Sequence, residues 1–452
     1  FAFALRAGDY AKAYPATYAA ITSIRNRLAY KGGKYLTFAS AVEEAIAKMV
    51  DSKKSKDAEA NAAATNRVIE LLVGRPGEFA RRLDHVLRST ATPDVVLDNF
   101  ENVAGDVATN VLWQVRNFYL NRESFVDGSV TRAVVPKGST ARASKIVTPL
   151  PKLSKKVIGH SFGIIDGAIA SQYVSRELLG KMFIDPVLNA YTVPFGARSA
   201  SKSLNPVGRG TRVPLEGNGD VVRFFIWWKD GAGRTDIDLS AQFYSEDFYP
   251  TSTIAYYNLR DSDLKSYHSG DITSAPKGAA EFIDINLGDG SEIARNNRYV
   301  VMSINSFTRQ NFSELPEVFA GAMLRPDAGN TGKNFDARTV VNAFDVSSAS
   351  KMATPLMIDL KNREIIWLDF SLNINAWHSN NVMSNALNLQ ELIQTAVTMK
   401  QPTIGDVLAA HCVRGKLVKS AEDADVVFSI SRGRLTMNGE FVSASAFLSD
   451  WV

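Results

Sequence analysis

Asp236 and Asp238 stand two residues apart in the stretch Arg234-Thr235-Asp236-Ile237-Asp238-Leu239-Ser240-Ala241. On an extended backbone, side chains two apart point to the same side, so both carboxylates would face one way. Like charges held that close repel unless a cation sits between them. Further along, Tyr267-His268-Ser269-Gly270-Asp271 reads as a turn with another carboxylate, and Glu281 and Asp284 follow at the start of the next strand. Hard oxygen ligands from loops at one edge of a sheet suit Ca²⁺, which takes six to eight oxygens in flexible geometry. Asp236, Asp238, Asp271 and Glu281 are therefore the candidate metal ligands. The plain alternative is a solvated sheet edge, with Asp271 serving only its own turn.

Two other clusters invite chemistry. Gly159-His160-Ser161-Phe162-Gly163 matches the Gly-x-Ser-x-Gly elbow that exposes a nucleophilic serine in α/β-hydrolases. His268, His378 and His411 lie downstream, where such a triad places its histidine. That fold needs parallel strands alternating with helices around the elbow, whereas helices precede this motif and antiparallel strands follow it. The expectation is a glycine-bounded turn before a helix and no enzyme. Arg198, Lys202, Arg209 and Arg212 lie among serines, an arrangement that suits an anion such as phosphate or simply a positive interface. His411 and Cys412 adjoin on a helix, point in different directions and read as structural.

The elements that must carry these residues are legible from periodicity. Over the first ~125 residues apolar positions recur at helical spacing. Phe38, Val42, Ile46 and Met49 form one stripe, and Phe79, Leu83, Val86 and Leu87 another. Gly74 closes one helix, while Pro76 and Pro93 each open one. Residues 131–215 are interrupted by seven prolines, with one helix expected between Asp166 and Leu179. Thirteen Lys and Arg face three acids there, a net +10 on a chain whose total is +4, so the remainder carries −6. Val221–Trp228 is apolar on both faces, the mark of a strand buried on both sides. Further strands are expected at Ile237–Phe243, Ile254–Asn258, Phe282–Leu287, Tyr299–Ile304 and Val318–Leu324. Leu356–Leu360 and Ile365–Phe370 flank a hairpin at Lys361-Asn362-Arg363. After 380 the pattern returns to helix, with Leu389, Leu392, Ile393 and Val397 as one stripe and Thr403 as a cap.

Several of these blocks, in this order, resemble the TerD (tellurite-resistance, stress-response) family. An apolar strand through Phe224, Ile226, Trp227 and Trp228 precedes Asp236-Ile237-Asp238-Leu239-Ser240-Ala241. Tyr257-Asn258-Leu259, His268-Ser269-Gly270-Asp271 and Arg309-Gln310-Asn311-Phe312 follow at matching positions. The resemblance spans residues 208–380. It implies an antiparallel β-sandwich that binds calcium in a system resisting tellurite, phage or other stress. The chain departs from the family at Ile272, where Asn is usual, and at Ala275–Ala280, where the family has an acidic loop. A complete pair of calcium ions is therefore not expected.

Together these readings give an α+β multidomain fold: a helical module over 1–125, a basic mixed α/β linker domain over 126–207, a TerD-like antiparallel β-sandwich over 208–380 and a C-terminal helical extension over 381–452. The expected function is calcium-dependent binding or scaffolding among proteins of a stress-response assembly. A docking component without metal, or a hydrolase using Ser161, are the alternatives. The basic segment is expected to meet an acidic or phosphate-bearing partner, foremost the protein's own acidic surface. Nucleic acid is not expected, because no run of exposed aromatics offers base stacking. The single cysteine, Cys412, excludes an internal disulfide and a multi-cysteine zinc site. It fits a reducing, cytoplasmic setting. No run of eighteen apolar residues suggests a membrane span, and Phe1–Leu5 lacks the basic start of a signal peptide.

Overall fold

The computed structural model describes residues 27–31, 34–55, 57–126, 132–134, 144–146, 149–174, 176, 179–193, 195, 201–202, 208–215, 219–287, 296–326, 340–346, 349–371, 382–413, 415–431 and 434–452. The chain is α+β and forms two compact units, Phe1–Tyr119 with Pro151–Gln172 and Leu120–Leu150 with Tyr173–Val452. Among the described residues no helix is long and apolar enough to cross a membrane.

The first unit is helical. A short hairpin of β1 (Arg27–Lys31) and β2 (Lys34–Thr37) precedes its helices, where periodicity had suggested helix alone. α1 (Phe38–Lys53) opens on a capping box between Thr37 and Ser40. α2 (Ala58–Val73) opens on Asp57, whose carboxylate accepts the N–H groups of Glu59 and Ala60. α3 (Pro76–Ser89) and α4 (Pro93–Ala104) begin on proline, as expected, and α5 (Thr109–Leu120) follows. Phe79 and Phe100 meet edge to face in the core at 5.2 Å.

α6 (Lys155–Val174) packs with these helices through Gln172, whose amide donates to the carbonyls of Gly105 and Val107. Residues 151–172, read from sequence as linker, thus cluster with the helical module. The helix starts well before the expected Asp166. Gly159 and Gly163 lie inside it rather than in a turn. Buried Val157, Ser161, Ile164, Ile165, Ala168 and Ile169 recur at helical spacing, and burying that stripe outweighs the ~1 kcal/mol that each glycine costs.

The second unit holds a small hairpin, β3 (Arg132–Val134) with β4 (Ser144–Ile146). It also holds a mixed sheet ordered β19-β5-β20-β21-β22. Its strands are β5 (Lys181–Ile184), β19 (Lys416–Leu417), β20 (Val426–Ser431), β21 (Arg434–Met437) and β22 (Glu440–Phe441), with β5 parallel to β19 and β20. The tail is therefore not wholly helical. Asn438-Gly439, both at positive φ, turns β21 into β22, and that pair is a strong hairpin signal in the sequence.

Two antiparallel sheets make the sandwich. The first runs β10-β9-β14-β17-β18-β7. It comprises β7 (Arg212–Pro214), β9 (Ile237–Tyr244), β10 (Pro250–Ile254), β14 (Tyr299–Ser306), β17 (Met352–Asp359) and β18 (Glu364–Ser371). The second runs β11-β12-β13-β8-β15-β16-β6. It comprises β6 (Ser201–Lys202), β8 (Val221–Lys229), β11 (Arg260–Asp261), β12 (Ser266–His268), β13 (Ala279–Asn286), β15 (Glu317–Arg325) and β16 (Val340–Val346). Alternate residues of each strand, such as Phe224, Ile226 and Trp228 of β8 and Leu239, Ala241 and Phe243 of β9, form the common core.

Both outer faces are also covered in part. On β8 the buried Arg223 grips Asp284 of β13 with two hydrogen bonds of 2.6 and 2.7 Å, under the ring of Phe282. On the first sheet, Leu389, Leu392, Ile393 and Ala396 of α7 (Val382–Thr398) pack on Tyr244, Val301, Ile366 and Leu368. α8 (Ile404–His411), capped by Thr403, and α9 (Ala444–Asp450) also belong to this unit.

Candidate metal centre

The turn from β8 to β9 sets the position of Asp236. Trp228 donates its indole N–H to the carbonyl of Thr235 at 3.0 Å, inside the core. Asp230 accepts from the N–H of Thr235 at 3.1 Å, from the N–H of Ala275 at 2.8 Å and from the Ser274 hydroxyl at 2.9 Å. It thereby ties the β8–β9 turn to the loop that carries Asp271. Desolvation alone would raise the Asp230 carboxyl, but these donors and Arg234 hold it below the usual carboxylate range. The N–H of Asp236 donates to the Thr308 hydroxyl at 3.0 Å, and its carbonyl accepts from Phe307 at 2.9 Å.

Ile237, Leu239, Ala241 and Phe243 point into the sandwich, so Asp236 and Asp238 share the opposite face of the first sheet, as their spacing predicts. Asn305, directly across on β14, donates its amide to Asp238 Oδ2 at 3.2 Å. Asp271 reaches the same place from the loop after β12. One oxygen from each of Asp236, Asp238 and Asp271 lies within 4.8 Å of the others. Two oxygens bound to one Ca²⁺ are at most about 5 Å apart, since each bond is 2.3–2.6 Å long. Asp236 is 4% exposed and Asp238 6%, while Asp271 is exposed.

The electrostatics of this group are unfavourable without a counter-charge. Burial raises the Asp238 carboxyl to about 7, and the charges of Asp236 and Asp271 add to the rise against the Asn305 hydrogen bond. Asp236 is raised by burial and by Asp271. Arg234 offsets it only in part, from a largely exposed position 3.3 Å from Asp236 Oδ2. Asp236 Oδ1 and Gln310 Oε1 are buried and accept no hydrogen bond. Gln310 sits at this end of the sheet because its amide donates to the carbonyl of Arg234 at 2.9 Å. The donor set is all oxygen. The nearby His268 uses Nδ1 to accept from Gly270 and pairs Nε2 with the carbonyl of Leu239. Hard cations suit such a set.

Glu281 lies outside the group of three carboxylates. Its two oxygens accept the N–H groups of Leu239 at 3.0 Å and Ile272 at 2.8 Å. Burial raises its carboxyl to about 8, with the Asp238 and Asp271 charges adding to the effect against those two hydrogen bonds. The sequence patterns do not reach Asn305, Thr308 or Asp230. Asn305 and Thr308 act across strands, which spacing does not reveal, whereas Asp230 follows directly after an apolar strand, where turn carboxylates are common. Gln310 belongs to the Arg309-Gln310-Asn311-Phe312 block, whose Phe312 is buried in the core.

Of the four basic residues, the two whose side chains are described, Arg209 and Arg212, each meet an acid of the first sheet. Arg209 donates to the carbonyl of Asp369 and approaches its carboxylate at 3.5 Å. Burial draws its guanidinium below the usual range, with Asp369 opposing. Arg212 pairs with Glu364 at 3.1 Å and donates to the carbonyl of Val397. Arg198 and the side chain of Lys202 lie outside the described residues, as does His378. Ser161 is fully buried in α6 and donates its hydroxyl to the carbonyl of Val157, four residues back. His411 stacks on Tyr173 with ring centres 3.8 Å apart and hydrogen-bonds the carbonyl of Trp451. Comparison of the chain with protein-family models, with curated proteins and with solved structures finds no match.

Proposed function

We propose that the β-sandwich is a cation-binding module, that its ion is Ca²⁺, and that the protein works by binding rather than by catalysis. The observation that carries this reading is the convergence of Asp236, Asp238 and Asp271 within 4.8 Å, two of them buried, with Asp236 Oδ1 lacking any hydrogen-bond partner. Three carboxylates would hold the ion, and its charge would relieve the repulsion among them. An all-oxygen set favours Ca²⁺ over the softer transition metals. The sequence blocks of the TerD resemblance supply the wider setting, a cytoplasmic stress-response assembly in which the module docks other proteins. The acidic partner of the basic segment is the protein itself, a reading supported by the pairs of Arg209 with Asp369 and Arg212 with Glu364.

Thermal melting of the intact protein in calcium and in chelator tests the proposal. A ligand that binds only the folded form adds about 2.7 kcal/mol at a hundredfold excess over its Kd. The transition of the sandwich should rise with calcium concentration. Identical melting in millimolar calcium and in chelator would refute the site.

A further inference from the structure

We infer that His268 and Glu281 are positioning residues that together set the spacing between Asp238 and Asp271; the inference rests on the cation-site reading above. β10 pairs with β9 only from Ala241 onward, so the edge of β9 at Leu239 lacks a strand neighbour. Two side chains of the second sheet take that place. The N–H of Leu239 donates to Glu281 Oε2 at 3.0 Å, and the carbonyl of Leu239 pairs with His268 Nε2 at 3.1 Å. The same two side chains hold the loop around Asp271. Gly270 donates to His268 Nδ1 at 3.0 Å, and Ile272 donates to Glu281 Oε1 at 2.8 Å.

The residue after Asp238 and both neighbours of Asp271 are thus fastened to one buried pair, with His268 7% exposed and Glu281 1%. The pattern fixes the imidazole tautomer. Nδ1 accepts from Gly270, so the proton is on Nε2 and is donated to Leu239. Gly270 sits at φ 114°, which allows its N–H to turn back onto His268. Both oxygens of Glu281 face backbone N–H groups next to Asp238 and Asp271, so its carboxyl braces the backbone that carries those two. Two acceptor oxygens are needed here, and a Gln would present its NH₂ to one of the two N–H donors.

Titration of the intact protein with Tb³⁺, followed by luminescence lifetimes in H₂O and D₂O, reads both affinity and the number of waters on the ion. Loss of groups that orient metal ligands weakens affinity about 10- to 100-fold. Glu281→Ala should bind Tb³⁺ that much more weakly with the wild-type number of coordinated waters, and Glu281→Gln should fall between the two. If Glu281→Ala does not fold, Glu281→Gln carries the test. A folded variant that melts earlier yet binds Tb³⁺ with wild-type affinity would overturn the inference, since Glu281 would then only support the fold. A gain of coordinated water would also overturn it, by making Glu281 a ligand. Wild-type protein that takes up no Tb³⁺ would overturn the cation site itself, an outcome distinct from the other two.

Discussion

Replacing Asp238 by Asn should make the metal-free protein more stable at pH 8, although it removes a residue of the candidate site. The folded carboxyl titrates near 7 against an ordinary value of 3.8. Between those values the folded chain keeps a proton that the unfolded chain has released, so metal-free wild type loses stability as pH rises through that window. Above pH 7 the full loss is in place, about 4 kcal/mol at 1.36 kcal/mol per pH unit. Asn keeps the shape and an acceptor for Asn305, and it never ionises. The gain at pH 8 should be about 2–4 kcal/mol, shrinking towards zero at pH 4. Urea unfolding in chelator at both pH values measures it. Saturating calcium should then narrow or reverse the order, because only the wild type retains all three carboxylates. A metal-free Asp238→Asn protein that is less stable than wild type at pH 8 would refute this account of the site's charge.

Ser161→Ala should cost only about 1 kcal/mol, the worth of one buried hydroxyl bond, and a fluorophosphonate should label neither protein at this position; labelling of Ser161 would reopen the hydrolase reading. Arg209→Gln with Arg212→Gln should lower the urea midpoint, because both side chains brace the first sheet through Asp369, Glu364 and Val397. Salt-sensitive DNA or RNA binding that these changes abolish would instead show an external partner.

The sandwich was legible because its strands carry their own signals. β8 announces itself by apolar residues on both faces, and the hairpin between β17 and β18 by Lys361-Asn362-Arg363 at the expected place. Asp236 and Asp238 share a face because strand geometry demands it. What lies across strands was not legible. Nothing local says that Asn305 stands opposite Asp238, or that Glu281 of one sheet reaches Leu239 of the other. Glu281 read as a ligand because it is acidic and near in sequence order, yet both its oxygens are turned to backbone donors. α6 departs from the sequence expectation for a related reason. Its glycines suggest a turn, and only the buried stripe from Val157 to Ile169 shows that packing prevails. In the tail, the mixed sheet depends on pairing between β5 and strands far away in the chain, which periodicity in a short window does not disclose.

The central claim is that Asp236, Asp238 and Asp271 hold one cation. Calorimetric titration of chelator-treated protein with Ca²⁺ at pH 8 tests it most directly, beside the Asp236→Asn, Asp238→Asn double variant. The account predicts saturable binding at one ion per chain in the wild type, weaker at pH 6 because protons compete for Asp238, and no binding in the variant. Equal heats in the two proteins, or none in the wild type, would contradict it.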